Sequence, residues 1–110
     1  MAEVINKRLQ NFKEFLQELM GKVYCDQMVK ELVKLNPYEN NQIMVFHNWS
    51  SSKKEEQYDF MIWIVGAINS LYKSKRYTTG YKLSVVNATE KRAILNEVQL
   101  IIKEEAKTMS

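Results

Sequence analysis

The chain is poor in cysteine, histidine and glycine, from which metal, nucleophilic and phosphate-binding sites are often built. Cys25 is the single cysteine in 110 residues, so no disulfide can form within the chain. A lone thiol suits a reducing, intracellular setting, and a cytoplasmic location is expected. His47 is the single histidine. One Cys and one His leave too few typical ligands for zinc, which takes four at structural sites or three plus water at catalytic ones. The three glycines, Gly21, Gly66 and Gly80, stand alone, so no phosphate-cradling loop is written. Cys25 with His47 would make a nucleophile–base pair, but no catalytic signature surrounds either residue. No enzyme activity and no cofactor are expected.

Long apolar runs are also missing. No window reaches the roughly 18 apolar residues of a membrane span, and Met1-Ala2-Glu3-Val4 lacks the basic-then-apolar start of a signal peptide. No membrane partner is therefore expected. The sequons Asn48-Trp49-Ser50 and Asn87-Ala88-Thr89 are read as chance, since they matter only in secreted proteins. Repeats, linkers and low-complexity tracts are absent, and the length fits one domain over 1–110. A net charge of +3 is weaker than a dedicated nucleic-acid binder usually shows.

What is present is a core. Residues 60–68, Phe-Met-Ile-Trp-Ile-Val-Gly-Ala-Ile, carry no charged, hydroxyl or amide side chain. A helix built on that run is apolar on every face and is expected to be wrapped by other elements. Ser52 with Glu55 makes a capping box before it. The helix is thus placed from Lys53 to about Lys75, with a buried strand over 59–67 as the rival. Glu55, Glu56 and Asp59 suit the positive end of its dipole.

Upstream, Ile5, Leu9, Phe12, Leu16, Leu19 and Val23 recur at spacings of 4, 3, 4, 3 and 4. This is the stripe of a helix packed on a core, or of a homodimer seam. Asp26 is a candidate cap for a second helix over 27–35, and whether 3–35 is one bent helix or two stays open. Asn36-Pro37 ends it, and Pro37–Asn41 reads as a turn. Gln42–Trp49 is β-branched and aromatic and reads as a strand. After a turn at Tyr77–Tyr81, which would close a short hairpin, Tyr81–Val86 reads as a half-buried strand. Asn87 and Glu90 cap a last amphipathic helix, about 89–107, with Ile94, Leu95, Val98, Ile101 and Ile102 on one face. The expected fold is a mainly helical α+β domain with a two- or three-stranded sheet. Pairing of 43–48 with 81–86 across a helix would be parallel.

Two surfaces are candidates for binding. Lys73, Lys75, Arg76, Lys82, Lys91 and Arg92 stand against Glu90 alone, with Tyr77 and Tyr81 interleaved, a composition that neutralises phosphates and stacks on bases. A helix followed by a basic hairpin resembles winged-helix DNA-binding domains over about 60–102. However, no positioning helix and turn precede it, and the helix that would enter the groove is the apolar one. The second surface is aromatic. Tyr38, Trp49 and Tyr58 lie near turns and are residue types that anchor protein interfaces. The Lys-, Asn-, Ile- and Tyr-rich composition without motifs looks like that of small accessory or inhibitor proteins of bacteriophages and other mobile elements. The expectation is a non-enzymatic binding protein with a protein partner, and a nucleic-acid-binding regulator is the alternative.

Overall fold

The computed structural model describes residues 6–35, 40–73 and 87–109. Six α-helices form there: α1 (Lys7–Gln10), α2 (Phe12–Met20), α3 (Lys22–Leu35), α4 (Asn40–His47), α5 (Lys54–Lys73) and α6 (Ala88–Met109). A 3-10 turn, Trp49–Ser51, joins α4 to α5. No strand occurs among the described residues, so the expected α+β class is corrected to all-helical. The supposed strand Gln42–Trp49 is α4 and the 3-10 turn. Its buried residues, Val45, Phe46 and Trp49, fall at one helical face, while Met44 is 58% exposed. Packing overrides the weak β propensity here. Phe46 stacks on Phe60 with ring centroids 5.3 Å apart, and Trp49 meets Phe60 edge-on at 5.4 Å. The parallel pairing is withdrawn with that strand. The turn and strand expected over 77–86 lie outside the described residues.

The N-terminal region is neither one helix nor two. Asn6 caps α1 through its side-chain oxygen, which accepts from Arg8 N (3.0 Å) and Leu9 N (3.2 Å). Asn11 separates α1 from α2. Gly21 separates α2 from α3 with φ 90°, a conformation that a side chain would strain. α2 and α3 pack against each other across this break. Asp26 is therefore no cap: α3 starts at Lys22, and Asp26 accepts a 3.0 Å hydrogen bond from Gln17 Nε2.

The Ser52–Glu55 box does not form either. The Ser52 hydroxyl donates to Asn48 O (2.8 Å), closing the 3-10 turn, while Lys53 N donates to Glu56 Oε1 (3.0 Å). At α6 the expected cap is present, with Glu90 N donating to Asn87 Oδ1 at 2.8 Å.

Leu9, Phe12 and Leu16 of the N-terminal stripe are buried against Phe60, Ile64, Ile94 and Ile101. The stripe belongs to the core, and a dimer seam along it is ruled out from Leu9 to Leu16. Three buried or half-buried polar bonds pin the helices. Asn6 Nδ2 donates to Ile101 O (3.1 Å), Trp49 Nε1 to Gln10 O (2.7 Å) and Gln57 Nε2 to Trp49 O (2.6 Å). Each satisfies a group whose burial alone would cost stability. Outside them, Arg8 holds α1 to α6, forming a fork on Glu97 (2.8 and 3.0 Å) and reaching Glu104 (3.0 Å). Its pKa is raised, chiefly by the Glu97 hydrogen bond.

Cys25 is fully buried, and desolvation pushes its thiol up to about 12, with Asp26 adding to the shift and Lys13 opposing it. The fold thus favours the neutral thiol. That contribution is complete below the ordinary value of 9.0 and is lost as pH rises from 9.0 towards 12. Two results are expected. Thiol reagents at pH 8 should label the native protein far more slowly than the denatured one. The alkaline loss of stability should be shallower in Cys25→Ala than in the parent. Rapid labelling of the native protein would contradict this burial.

Candidate functional site

The long helix α5 departs from the expectation that its apolar run is wrapped on every side. Phe60, Met61, Ile64 and Ile68 are at most 3% exposed and form its inner face. Its outer face carries Glu55, Asp59, Ile62, Gly66 and Ser70, spaced 4, 3, 4 and 4, and all are exposed. Ile62 shows 46% of its surface to solvent at the centre of the run. Tyr58 and Val65 flank the stripe on one side and Trp63 on the other, each half-buried against the core. The result is an apolar centre with polar ends along a helix about 30 Å long.

Gly66 sits in this stripe one turn from Ile62. A methyl group added there would meet nothing within 4 Å. The glycine thus serves no internal packing need, although glycine within a helix costs about 1 kcal/mol against alanine. It leaves a flat spot beside the Ile62 side chain.

At the N-terminal end of the stripe, Tyr58 opens onto a cleft of about 530 Å³ lined also by Lys54, Glu55, Asp59 and Glu105. Lys54 Nζ and Glu105 Oε2, both in its lining, pair between α5 and α6 at 2.9 Å. Acidic groups therefore border the aromatic end of the face.

Another cleft, of about 450 Å³, lies between α2 and the 3-10 turn, lined by Lys13, Glu14, Gln17, His47 and Asn48 among others. Lys13 Nζ lies 4.7 Å from the Phe46 ring centre. His47 is exposed there, whereas Cys25 is sealed in the core, so the two residues occupy opposite environments. Among the described residues no three His, Cys, Asp or Glu side chains gather to hold a metal ion. Nor is any described helix long and apolar enough to cross a membrane.

The residues singled out from sequence are scattered by this architecture. Tyr58 is on the α5 face. Trp49 is 4% exposed and serves the core, with its indole N–H on the Gln10 carbonyl. Tyr38, Lys75, Arg76, Tyr77, Tyr81 and Lys82 lie outside the described residues. Lys73 closes α5, and Lys91 and Arg92 sit in the first turns of α6, Arg92 exposed and Lys91 half-buried. Sequence reasoning missed Ile62 and Gly66. The signal was available: Glu55, Asp59, Ile62, Gly66 and Ser70 share one face, and a glycine interrupts an otherwise bulky run.

No protein-family model, curated protein or solved structure matches this chain.

Proposed function

We infer that this protein is a non-enzymatic binding domain that acts by protein–protein contact through the outer face of α5. The observation that carries the reading is the 46% exposure of Ile62 within the uninterrupted apolar run of α5. An apolar centre rimmed by polar residues is the anatomy of an interaction site. Tyr58 and Trp63, half-buried and braced by the core, supply rigid aromatic area at low entropy cost. A small domain with a developed helix face suits an accessory or inhibitory role, in which a partner surface is covered. The composition, resembling small mobile-element proteins, accords with that role.

A photo-crosslinking residue placed at 62, in the cells that make the protein, tests this. Discrete protein adducts are expected from position 62, and none from the exposed position 103 on α6. Equal labelling from both positions, or adducts to nucleic acid alone, would overturn the reading. The second result would put the basic 73–92 segment first.

A further inference from the structure

We propose that Gly21 is a single-residue hinge at which α2 and α3 straighten into one helix, so that two copies of the chain exchange their α1–α2 arms. This goes beyond the reading of the α5 face and does not depend on it.

Only one residue separates α2, which ends at Met20, from α3, which begins at Lys22. Helical hydrogen bonding reaches that residue from both sides. Gly21 N donates to Gln17 O at 2.8 Å, and Cys25 N donates to Gly21 O at 2.9 Å, each bond spanning four residues. The break therefore rests on one pair of angles, φ 90° and ψ 135°. Glycine adopts that region freely, and other residues adopt it only under strain. A Cβ added at Gly21 would meet nothing within 4 Å, so the requirement lies in the backbone and not in space.

The apolar pattern does not stop at the break. Leu9, Phe12, Leu16, Leu19 and Val23 keep spacings of 3, 4, 3 and 4 across it, yet Val23 is 82% exposed. In a continuous helix from Phe12 to Leu35, Val23 rejoins the face of Leu16 and Leu19. The amides of Lys22 and Val23 then meet the carbonyls of Glu18 and Leu19.

Straightening carries the arm, residues 6–20, away from its own body. Leu9, Phe12 and Leu16 are at most 1% exposed in the closed form and would then face water. The body of a second copy offers them the same seat. Asn6 Nδ2 on Ile101 O, Trp49 Nε1 on Gln10 O and the Arg8 fork on Glu97 all re-form between chains. The exchange closes as a two-fold dimer, because each body gives up one arm and receives one.

Sedimentation velocity on the full chain, refolded from denaturant at low and at high concentration, tests this. The parent should be monomeric at low concentration. At high concentration it should give a share of dimer that persists on dilution, since exchange requires the arm to leave the core. Gly21→Ala should lower the dimer dissociation constant at least about a hundredfold, because alanine strains the bend and favours the helix. A Gly-Ser-Gly insertion after Gly21 in the parent should abolish the dimer and leave the helical spectrum unchanged.

Charge reversal identifies the exchange. In the Gly21→Ala background, copies with Arg8→Glu should pair with copies carrying Glu97→Arg about tenfold more tightly than either pairs with itself. Both junctions of the mixed dimer join opposite charges, whereas those of each pure dimer join like charges. A parent that stays monomeric after refolding at every concentration overturns the hinge. So does a Gly21→Ala protein that is unfolded, or folded and monomeric. Equal pairing among the reversed copies would place the dimer contact elsewhere and overturn the exchange.

Discussion

Leu16→Asp should abolish folding, whereas Val23→Asp, in the first turn of α3 just past the break at Gly21, should leave the fold untouched. The two residues belong to the same stripe in sequence. In the structure Leu16 is 0% exposed and Val23 is 82% exposed. Burying a carboxylate without a partner costs several kcal/mol, and loss of the leucine's packing adds about 2–5 kcal/mol. Together these match the whole stability of a small domain, about 5–15 kcal/mol. Far-ultraviolet circular dichroism and a thermal scan decide the matter. Loss of the helical spectrum and of the transition is expected for Leu16→Asp. The melting curve of Val23→Asp should stay near that of the parent, since exposed substitutions usually change stability by about 0.5 kcal/mol or less. A folded monomeric Leu16→Asp would mean that the stripe is a subunit seam after all.

Phe60→Ala should destabilise the protein by about 3–5 kcal/mol, the usual cost of emptying an aromatic site in a packed core. Phe60 is fully buried at the hub of an aromatic cluster. Its ring centre lies 5.3 Å from that of Phe46, 5.4 Å from Trp49 and 5.5 Å from Trp63. Those neighbours sit on α4, the 3-10 turn and α5, so one cavity loosens the junction of three elements. Chemical denaturation should show a lower midpoint with an unchanged slope. A loss below 1 kcal/mol would show that the cluster collapses onto the gap and is less tightly packed than it appears. The substitution also undermines the outer α5 face, because Trp63 leans on Phe60 from the edge of that face. Ile62→Ala lies on the exposed side and should cost little stability, which separates the support of the surface from the surface itself.

Much of the helical layout was legible without a structure. The N-terminal stripe, the central helix and the cap at Asn87 each arise from local rules: a 3.6-residue period, a side chain that accepts from an amide two or three residues on, and an apolar run long enough to enclose. The errors have two causes. Gln42–Trp49 reads as a strand by β-branched and aromatic content, yet in the helical segment Phe46 stacks on Phe60 and Trp49 meets it edge-on. Ser52 has the sequence of a helix cap, yet its hydroxyl closes the turn before the helix. In the first case contacts across the core outweigh a local preference worth no more than about 1 kcal/mol; in the second, one local bond, to the carbonyl four residues back, displaces another.

The sequence by itself determined which segments could bury apolar surface, because periodicity is a property of the chain. It also determined the shortage of catalytic and metal-binding residue types. Only the tertiary structure decided which side of α5 is covered. The run 60–68 is apolar all round, so its composition holds no information about orientation, and the neighbouring helices choose the face. They cover Phe60, Ile64 and Ile68 and leave Ile62 and Gly66 in solvent. Trp49 and Tyr58 were likewise equivalent candidates as residue types. The fold separates them, because Trp49 finds the Gln10 carbonyl in the core while Tyr58 stands at the mouth of a cleft. Exposure is a relation between elements, and it exists only once the helices have packed.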